Sequence, residues 1–238
     1  MIKLPLKNIF ILTGAGISAE SGIATFRGTD GLWNNYRIED VATPAAFNKD
    51  PSLIWKFYFE RIDRIKKSKP NDGHYAIKNL ISASKNIHLI TQNVDNLHEK
   101  AGIKNVIHMH GDIMTAFCPK CKKKYSVTRI KRPLPICKKC NSILRPNVVW
   151  FGETPLYLEK IYNLLTKSSI FISIGTSGNV YPAAEFHLIA KSSGARTVFI
   201  NLEDTGIQSD IFFLGKASII LPQLFDKWIS KGYIEFNR

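Results

Sequence analysis

Short apolar runs, rich in β-branched residues and nearly free of polar positions, are the feature that most constrains how this chain can fold. Because almost every position is apolar, rather than every second one, such runs are typical of strands buried on both faces of a parallel sheet. Strands are predicted at residues 8–13, 86–91, 105–109, 147–151, 169–174, 196–200 and 218–221. Helical patterns lie between several of them, at residues 51–67, 73–84, 155–167, 182–192 and 222–231. Strands that alternate with helices predict right-handed crossovers and an α/β fold with a doubly wound parallel sheet.

Two segments interrupt this alternation and predict additions to the α/β domain. Helical patterns without a good strand predict a helical insert at residues 30–84. The second segment, residues 112–146, holds all four cysteines of the chain. The remaining segments, residues 1–29, 85–111 and 147–238, are expected to form the α/β domain, and a chain of 238 residues is long enough for one large domain with a smaller insert.

The cysteines form two pairs, Cys118-x₂-Cys121 and Cys137-x₂-Cys140. A two-residue spacer lets both sulfurs of a tight turn reach one ion, so two such turns predict a tetrahedral Zn²⁺ site. Two disulfides or unrelated buried thiols are the alternatives, but disulfides are rare in chains without an export signal. Four protein ligands leave no open position on the ion, so the zinc is expected to be structural.

The formal net charge of +14 is concentrated in the cysteine module. Between Cys118 and Arg145 the sequence has ten basic residues and no acidic one. Such a patch could attract nucleic acid or acidic protein surfaces. A solvated, lysine-rich face is the alternative, and it is favoured because no aromatic residues interleave with the lysines in a stacking pattern.

The rest of the chain gives no sign of export or membrane insertion. No apolar run approaches the roughly 20 residues of a membrane span. The N-terminus leads into a strand-like run without a cleavable signal peptide. We therefore expect a cytoplasmic protein without a membrane partner.

A glycine-rich turn, GAGISA at residues 14–19, follows the first predicted strand and matches the pattern G-x-G-x-x-G/A. Such turns bring the backbone close to a phosphate at a helix N-terminus, although a plain strand-to-helix turn remains an alternative. No second strand ends in an acidic residue about 20 positions later, which argues against a dehydrogenase. The glycine-rich stretch at residues 22–33 instead predicts a flexible loop over a ligand, and Glu203 is the candidate acid that follows a later strand.

Three predicted strands end in clusters of polar residues, at residues 91–98, 108–112 and 175–179. Open α/β sheets bind ligands beyond the carboxyl ends of their strands, although single residues of these clusters could simply cap helices. Histidine is the side chain best suited to proton transfer near neutral pH. His110, which precedes Gly111 at a strand end, is therefore the candidate catalytic residue.

In their order along almost the whole chain, these motifs resemble those of the sirtuin family of NAD-dependent protein lysine deacylases. The matching segments are GAGIS at 14–18, SGI at 21–23, TFR at 25–27, TQNVD at 91–95, HG at 110–111, the two cysteine pairs, GTS at 175–177 and NLE at 201–203. The resemblance implies a Rossmann-like NAD-binding domain with a zinc module and a helical insert. It also implies that NAD is a co-substrate and that acylated protein lysines are converted to free lysine, nicotinamide and O-acyl-ADP-ribose.

The same resemblance implies roles for individual residues. His110 would be the general base, with Asn93 and Asp95 in the nicotinamide pocket and Gln92 at the nicotinamide ribose. The other implied cofactor-binding residues are Gly14, Ala15, Gly16, Ser18, Glu20, Thr25, Phe26, Arg27, Trp33, Gly175, Thr176, Ser177, Asn201, Leu202, Glu203 and Ala217. The substrate backbone would pair as an added strand with Val148, Val149, Trp150, Phe151 and Gly152. Many family members have Pro where this chain has Ala24, so we expect altered mobility of the loop and no loss of activity.

Tyr58 and Arg61 lie three residues apart in the predicted helix at 51–67 and therefore share one face of it. From the residues alone, a core aromatic with an Arg at its rim is the simpler interpretation. However, Tyr-x-x-Arg at this place resembles class III sirtuins, whose pocket binds the carboxylate of a succinyl or malonyl group. We therefore predict removal of acetyl, succinyl and malonyl groups.

Three other functions compete with this prediction. A mono-ADP-ribosyltransferase would use NAD on the same scaffold, and a non-enzymatic NAD sensor associated with nucleic acid would use the basic module. A dehydrogenase is the weakest of the three because the acidic residue noted above is missing.

Overall fold

The computed structural model describes residues 1–24, 32–33 and 36–236, with the backbone alone at 32–33. Strands occupy β1 Ile2–Pro5, β2 Ile9–Thr13, β3 Leu32–Trp33, β4 Tyr36–Arg37, β5 Ile87–Thr91, β6 Ile107–His108, β7 Gly111–Phe117, β8 Lys124–Ser126, β9 Arg145–Val148, β10 Ile170–Ile174, β11 Arg196–Asn201, β12 Ile211–Leu214 and β13 Tyr233–Phe236. Helices occupy α1 Gly16–Ala19, α2 Ile38–Val41, α3 Pro44–Lys49, α4 Pro51–Lys67, α5 Asp72–Ala83, α6 Leu97–Lys100, α7 Leu158–Thr166, α8 Phe186–Ser192 and α9 Ala217–Lys231.

A six-stranded parallel sheet, in the order β12-β11-β10-β2-β5-β6, is the centre of the fold. Alternate residues of β2 point to opposite faces: Ile9 and Ile11 pack with α5 and α9, and Phe10 packs with α7 and α8. Helices therefore cover both faces, and the predicted doubly wound sheet is confirmed. None of the helices in the described part of the chain combines the length and apolar character needed to cross a bilayer.

A second apolar core joins helices α2, α3 and α4 to a small antiparallel sheet, β8-β7-β9. Trp55 in α4 donates its indole N–H to the carbonyl of Leu144, 2.6 Å away, which ties the helices to the cysteine module. A separate pair, β1 and β13, brings the two ends of the described chain together. The predicted domain boundaries stay a prediction.

Two predicted strands are wrong. Residues 218–221 belong to α9, because Ala217, Leu221, Phe225 and Trp228 recur at helical spacing and bury one helix face. Pro222 lies inside this helix and does not begin it.

The other error concerns the run at residues 147–151. The strand there is β9, which starts earlier, ends at Val148 and pairs antiparallel with β7 outside the parallel sheet. The run at 147–151 is apolar for a reason other than burial in the parallel sheet, because Trp150 is buried against α4. Two further strands were not predicted: β7, whose polar positions Asp112 and Thr115 break the apolar pattern, and β12, an apolar run of only four residues.

Candidate active site

Three glycines bring the end of β2 and the end of β10 into direct backbone contact. A Cβ added to Gly14 would lie 2.6 Å from the carbonyl oxygen of Gly175, and one added to Gly16 would lie 2.6 Å from the Gly175 Cα. Gly175 has a φ of 62°, a conformation that glycine adopts without strain. These glycines therefore form a cradle at the carboxyl edge of the sheet, where open α/β sheets bind their ligands.

Asn201, at the end of β11, contributes a buried amide to the same edge. Its Oδ1 accepts a hydrogen bond from the backbone N–H of Thr176, 3.0 Å away, and the Thr176 hydroxyl lies 2.8 Å from that of Ser173. The Asn201 Nδ2 is buried without a hydrogen-bond partner among the described residues. A buried donor without a partner is costly, so this atom suits an acceptor on a bound ligand, such as a ribose hydroxyl.

The loop after β5 packs against the glycine-rich turn. Asn93 donates its amide Nδ2 to the carbonyl of Gly14, 3.0 Å away, and to the hydroxyl of Ser18, 3.2 Å away. Asp95 is buried, and this burial raises the pKa of its carboxyl, against hydrogen bonds from the Leu97 N–H and the Ser18 side chain. The predicted amide and carboxylate are thus brought together beside the cradle.

His110 lies between β6 and β7, next to this loop. Its Nδ1 is 3.0 Å from the carbonyl oxygen of Gln92. Because a carbonyl only accepts, Nδ1 carries the proton and Nε2 has the free lone pair. Burial lowers the pKa of His110, against the hydrogen bond to Gln92, so the imidazole is neutral at pH 7 and can act as a base.

Tyr58 and Arg61 share the inward face of α4. Tyr58 is fully buried, and its hydroxyl accepts a hydrogen bond from the Trp150 indole, 2.8 Å away. Burial raises the pKa of Tyr58 to about 12, although this hydrogen bond opposes it. Burial lowers the pKa of Arg61 to about 10, which still leaves it cationic at pH 7, and Asp95 is among the charges that act on it.

The segment that follows β9 is anchored to His110 and to the helical region. Val149 donates its N–H to the His110 carbonyl, 2.9 Å away, and Phe151 donates its N–H to Ala42, 3.0 Å away. Val148 and Trp150 are buried, Phe151 is 48% exposed, and Gly152 has a φ of 86°. Pairing of this segment with a substrate strand stays a prediction.

The four cysteine sulfurs, in the turns beside the small sheet, lie within 4.8 Å of one another. The Sγ atoms of Cys118 and Cys140 are 3.4 Å apart, and those of Cys121 and Cys137 are 3.6 Å apart. A Zn–S distance of about 2.3 Å requires edges of about 3.8 Å in a tetrahedron. The thiol set and its spacing therefore fit one structural Zn²⁺.

For several residues implied by the resemblance, the structure describes no side chain or gives no contact with the cradle. Thr25, Phe26 and Arg27 lie outside the described residues, and Trp33 is described only by its backbone in β3. The exposed Glu20 carboxylate accepts a hydrogen bond from Ser218.

Four further implied residues follow the strands that form the cradle or, in two cases, the neighbouring strand β11. Ala15 directly precedes α1, Ser177 is half-buried, and Leu202 and Glu203 are exposed beyond β11. The Ala217 side chain is part of the main core, so only its backbone at the start of α9 is placed to meet a ligand. The cofactor roles of all these residues stay predictions.

The polar support beneath the loop comes from residues outside the predicted site. The hydroxyls of Thr13 and Thr91 are 2.9 Å apart, and Thr91 accepts the N–H of Asn93, 3.0 Å away. Both threonines end adjacent parallel strands, and their positions in the sequence could have been used to predict this contact. His108 lies in the predicted polar cluster at residues 108–112, but no sequence signal paired it with Glu99, whose Oε1 is 2.7 Å from its Nε2.

Fold and geometry together place the chain among enzymes that bind a nucleotide at the carboxyl edge of a doubly wound sheet. The model of the Sir2 family matches residues 14–182. The chain belongs to the Sir2 family, which confirms the resemblance to sirtuins.

Relatives and solved structures agree with this assignment. The chain is 46% identical over 230 residues to an NAD-dependent protein deacylase of Pyrococcus abyssi, covering 92% of each. It is also 46% identical to one of Aquifex aeolicus, covering 94% of this chain and 98% of the relative. A Sir2 homologue–NAD complex superposes with a TM-score of 0.86 at 43% identity, covering 94% of this chain and 89% of that one. A Sir2–p53 peptide–NAD⁺ complex does so with a TM-score of 0.77 at 32% identity, covering 94% and 92%.

Proposed function

We propose that this protein is an NAD-dependent protein lysine deacylase that removes acetyl groups and also acidic acyl groups such as succinyl and malonyl. The observation that carries the deacylase proposal is the tautomer of His110, whose Nε2 lone pair is free beside the Asn93/Asp95 loop. Relatives with 46% identity over most of the chain carry the name NAD-dependent protein deacylase, which supports it.

The residues of the chain divide the work between binding and proton transfer. The Gly14–Gly175 cradle and the buried Asn201 amide fit the phosphates and a ribose of NAD. NAD, when bound, supplies an electrophilic ribose carbon as nicotinamide leaves. The Nε2 of His110 takes the proton of a ribose hydroxyl, while the bond from Nδ1 to the Gln92 carbonyl fixes the direction in which the ring points.

Acceptance of acidic acyl groups is proposed from the chemistry of α4. Arg61 is a partly buried cation beside the Phe57 ring, whose centroid is 5.5 Å away, and beside a fully buried phenol. A guanidinium shielded from water binds a carboxylate more strongly than an exposed one does. A neutral acetyl group would occupy the same pocket without this contact.

Matched acetyl-, malonyl- and succinyl-lysine peptides, incubated with and without NAD and analysed by mass spectrometry, test both proposals. His110→Ala should abolish all turnover. Arg61→Met should lower kcat/KM for the succinyl peptide by on the order of 100-fold, because charged hydrogen bonds are lost, and should spare the acetyl peptide. Arg64→Met is the matched control, since it removes an exposed arginine from the next turn of α4.

The outcomes separate the proposals. Equal loss of acetyl and succinyl turnover in Arg61→Met would contradict the carboxylate pocket while leaving the deacylase intact. Transfer of labelled ADP-ribose to protein, without lysine deacylation, would instead support a mono-ADP-ribosyltransferase.

The exposed lysines of the zinc module are proposed to give weak contacts with nucleic acid or acidic protein surfaces. Lys122, Lys123, Lys138 and Lys139 are exposed there. Binding to a DNA duplex that weakens steeply with salt would support this contact, and binding unaffected by reversing these charges would contradict it. A cytoplasmic location is proposed separately, because metal-binding thiols suit a reducing compartment.

A further inference from the structure

Two histidines separated by one residue contact successive carbonyls of the loop after β5. The Nδ1 of His110 is 3.0 Å from the carbonyl oxygen of Gln92, and the Nδ1 of His108 is 3.0 Å from that of Asn93. The two rings differ at their other nitrogen. In His108 it lies 2.7 Å from the Oε1 of Glu99, whereas in His110 it is the atom assigned to proton transfer.

The partners of His108 determine its protonation state. A backbone carbonyl can only accept a hydrogen bond, and so can an ionised carboxylate. Both ring nitrogens of His108 must therefore carry a proton for the two contacts to exist together. The geometry requires an imidazolium at position 108, whereas His110 contacts its carbonyl as a neutral ring.

The His108 contact completes the support of Asn93. The N–H of Asn93 is bound by the Thr91 hydroxyl, its side-chain amide donates to Gly14 and Ser18, and its carbonyl accepts from His108. The carbonyl contact alone depends on a titratable group. Losing it would free the peptide between Asn93 and Val94, which leads directly to Asp95.

We propose that His108 is a positioning residue: its imidazolium, paired with Glu99, holds the Asn93 carbonyl and thereby sets the nicotinamide pocket for NAD cleavage. This proposal rests on the proposed deacylase function. His108 acts through Asn93 and takes no part in the proton transfer assigned to His110.

The charges around His108 favour the cation. Burial lowers the pKa of His108. This effect is outweighed by the hydrogen bond and the charge of Glu99, by the Asn93 carbonyl and by the charge of Asp112, so the pKa lies above its usual value. Other charged or titratable groups that act on this ring, or line the cleft of about 440 Å³ beside it, are Asp95, His98, Lys124 and Lys160. Because the pKa is raised on folding, the Asn93 contact is fully present below the usual imidazole pKa of about 6.5 and is lost as the pH rises through the higher folded-state pKa.

Above that pKa the ring has one proton for two acceptors. The carboxylate of Glu99 attracts this proton more strongly than a carbonyl does, so the Nδ1 lone pair then faces the Asn93 oxygen. In Glu99→Gln the side-chain amide can itself donate to Nε2, and a neutral ring can keep its Nδ1–H on Asn93. The variant should therefore retain the contact at high pH.

The test is the pH profile of kcat/KM for NAD, measured by nicotinamide release from the zinc-loaded enzyme with an acetyl-lysine peptide. The native protein should lose activity on the alkaline side by about tenfold, the scale of one charged hydrogen bond. Glu99→Gln should lack this alkaline loss, and His108→Gln should lower kcat/KM for NAD at neutral pH with little change in KM for the peptide. Glu159→Gln, which removes an exposed carboxylate from α7, should keep the native profile.

Nitrogen-15 NMR of the histidine rings gives a readout that does not depend on activity. Two protonated ring nitrogens on His108 at pH 7, with a lower pKa in Glu99→Gln, are the expected result. A singly protonated His108 at pH 6, or an unchanged alkaline limb in Glu99→Gln, would overturn the proposal. Failure of the deacylase function would appear differently, as a native protein without nicotinamide release whose His108 still titrates as expected.

Discussion

Replacing Glu153 by Gln is expected to loosen the segment that carries the proposed substrate strand. The Glu153 carboxylate accepts hydrogen bonds from both terminal nitrogens of Arg145, each 2.8 Å away, and from the N–H of Trp150, also 2.8 Å away. Arg145 in turn donates to the Val148 carbonyl, 3.0 Å away, and its guanidinium lies 3.7 Å from the centroid of the Trp150 ring. One carboxylate therefore organises the whole turn between Val148 and Glu153.

The size of the effect follows from the burial of this ion pair. The side chains of Arg145 and Glu153 are 12% and 29% exposed, so the pair lies between the buried and the surface cases. Breaking a buried pair costs about 3–5 kcal/mol, whereas surface pairs contribute about 0–1 kcal/mol. We therefore expect the free energy of unfolding to fall by about 2 kcal/mol, or about 5 °C in melting temperature for a chain of this length.

Urea unfolding and steady-state kinetics measure the two consequences separately. The urea midpoint should fall, and KM for the acyl peptide should rise by about tenfold, because the peptide-binding segment loses its anchor. KM for NAD should stay within about twofold, since the cradle is formed by other strands. Glu235→Gln removes a surface partner of Lys231 and should leave both measurements unchanged. An unchanged midpoint together with an unchanged peptide KM in Glu153→Gln would refute the reasoning.

Three further changes probe other parts of the molecule. Because the pKa of His110 is lowered, kcat/KM should stay high below pH 6.5 and fall only at more acid pH, so an activity loss on the acid side that is centred above pH 6.5 would contradict the assigned base. Removing zinc with a chelator, or by Cys137→Ser, should abolish deacylation and lower the melting temperature, with zinc content measured by mass spectrometry. Gly111→Ala would put a Cβ 2.2 Å from the Asn147 carbonyl oxygen, so this variant should strongly destabilise the fold. Gly194 has a φ of 89° and open space around an added Cβ, so Gly194→Ala should lower the free energy of unfolding, measured by thermal unfolding, by only about 1–2 kcal/mol.

The parallel sheet was predictable because its strands are buried on both faces. β2 and β10 are apolar at nearly every position, so the sequence pattern and the burial coincide. β7 alternates buried and half-buried residues in a module whose core includes the cysteines, and its mixed polar and apolar sequence lacks the continuous apolar run by which the other strands were predicted. The run at 218–221 shows the opposite failure, because four consecutive residues do not distinguish a strand from the first turns of a helix.

The clustering of candidate residues was predictable where they pair at a fixed spacing or follow a buried strand. The cysteine pairs and the strand-end residues Asn93, Asp95 and His110 fall into this group, and the chemical roles of the last three stay predictions. Proton states were not predictable, because they depend on which acceptors a ring meets in three dimensions. His108 and His110 are separated by one residue and identical in type, yet one contacts two acceptors and the other contacts one through Nδ1.

The position of His110 between two sheets explains why a structural metal belongs to this enzyme. NAD is expected at the parallel sheet, whose edge strand β6 ends at His108. The substrate peptide is expected at the segment after β9, a strand of the antiparallel sheet that packs with the cysteines. His110, the proposed base, is on the short connection between them, and Val149, directly after β9, donates its N–H to the His110 carbonyl. The relative placement of the two substrates therefore depends on how rigidly β7 and β9 are held, which is what four thiolates on one zinc ion supply. On this reasoning the metal contributes to the rate through geometry alone, and a metal of the same tetrahedral preference, such as Co²⁺, should support the same pH profile as zinc.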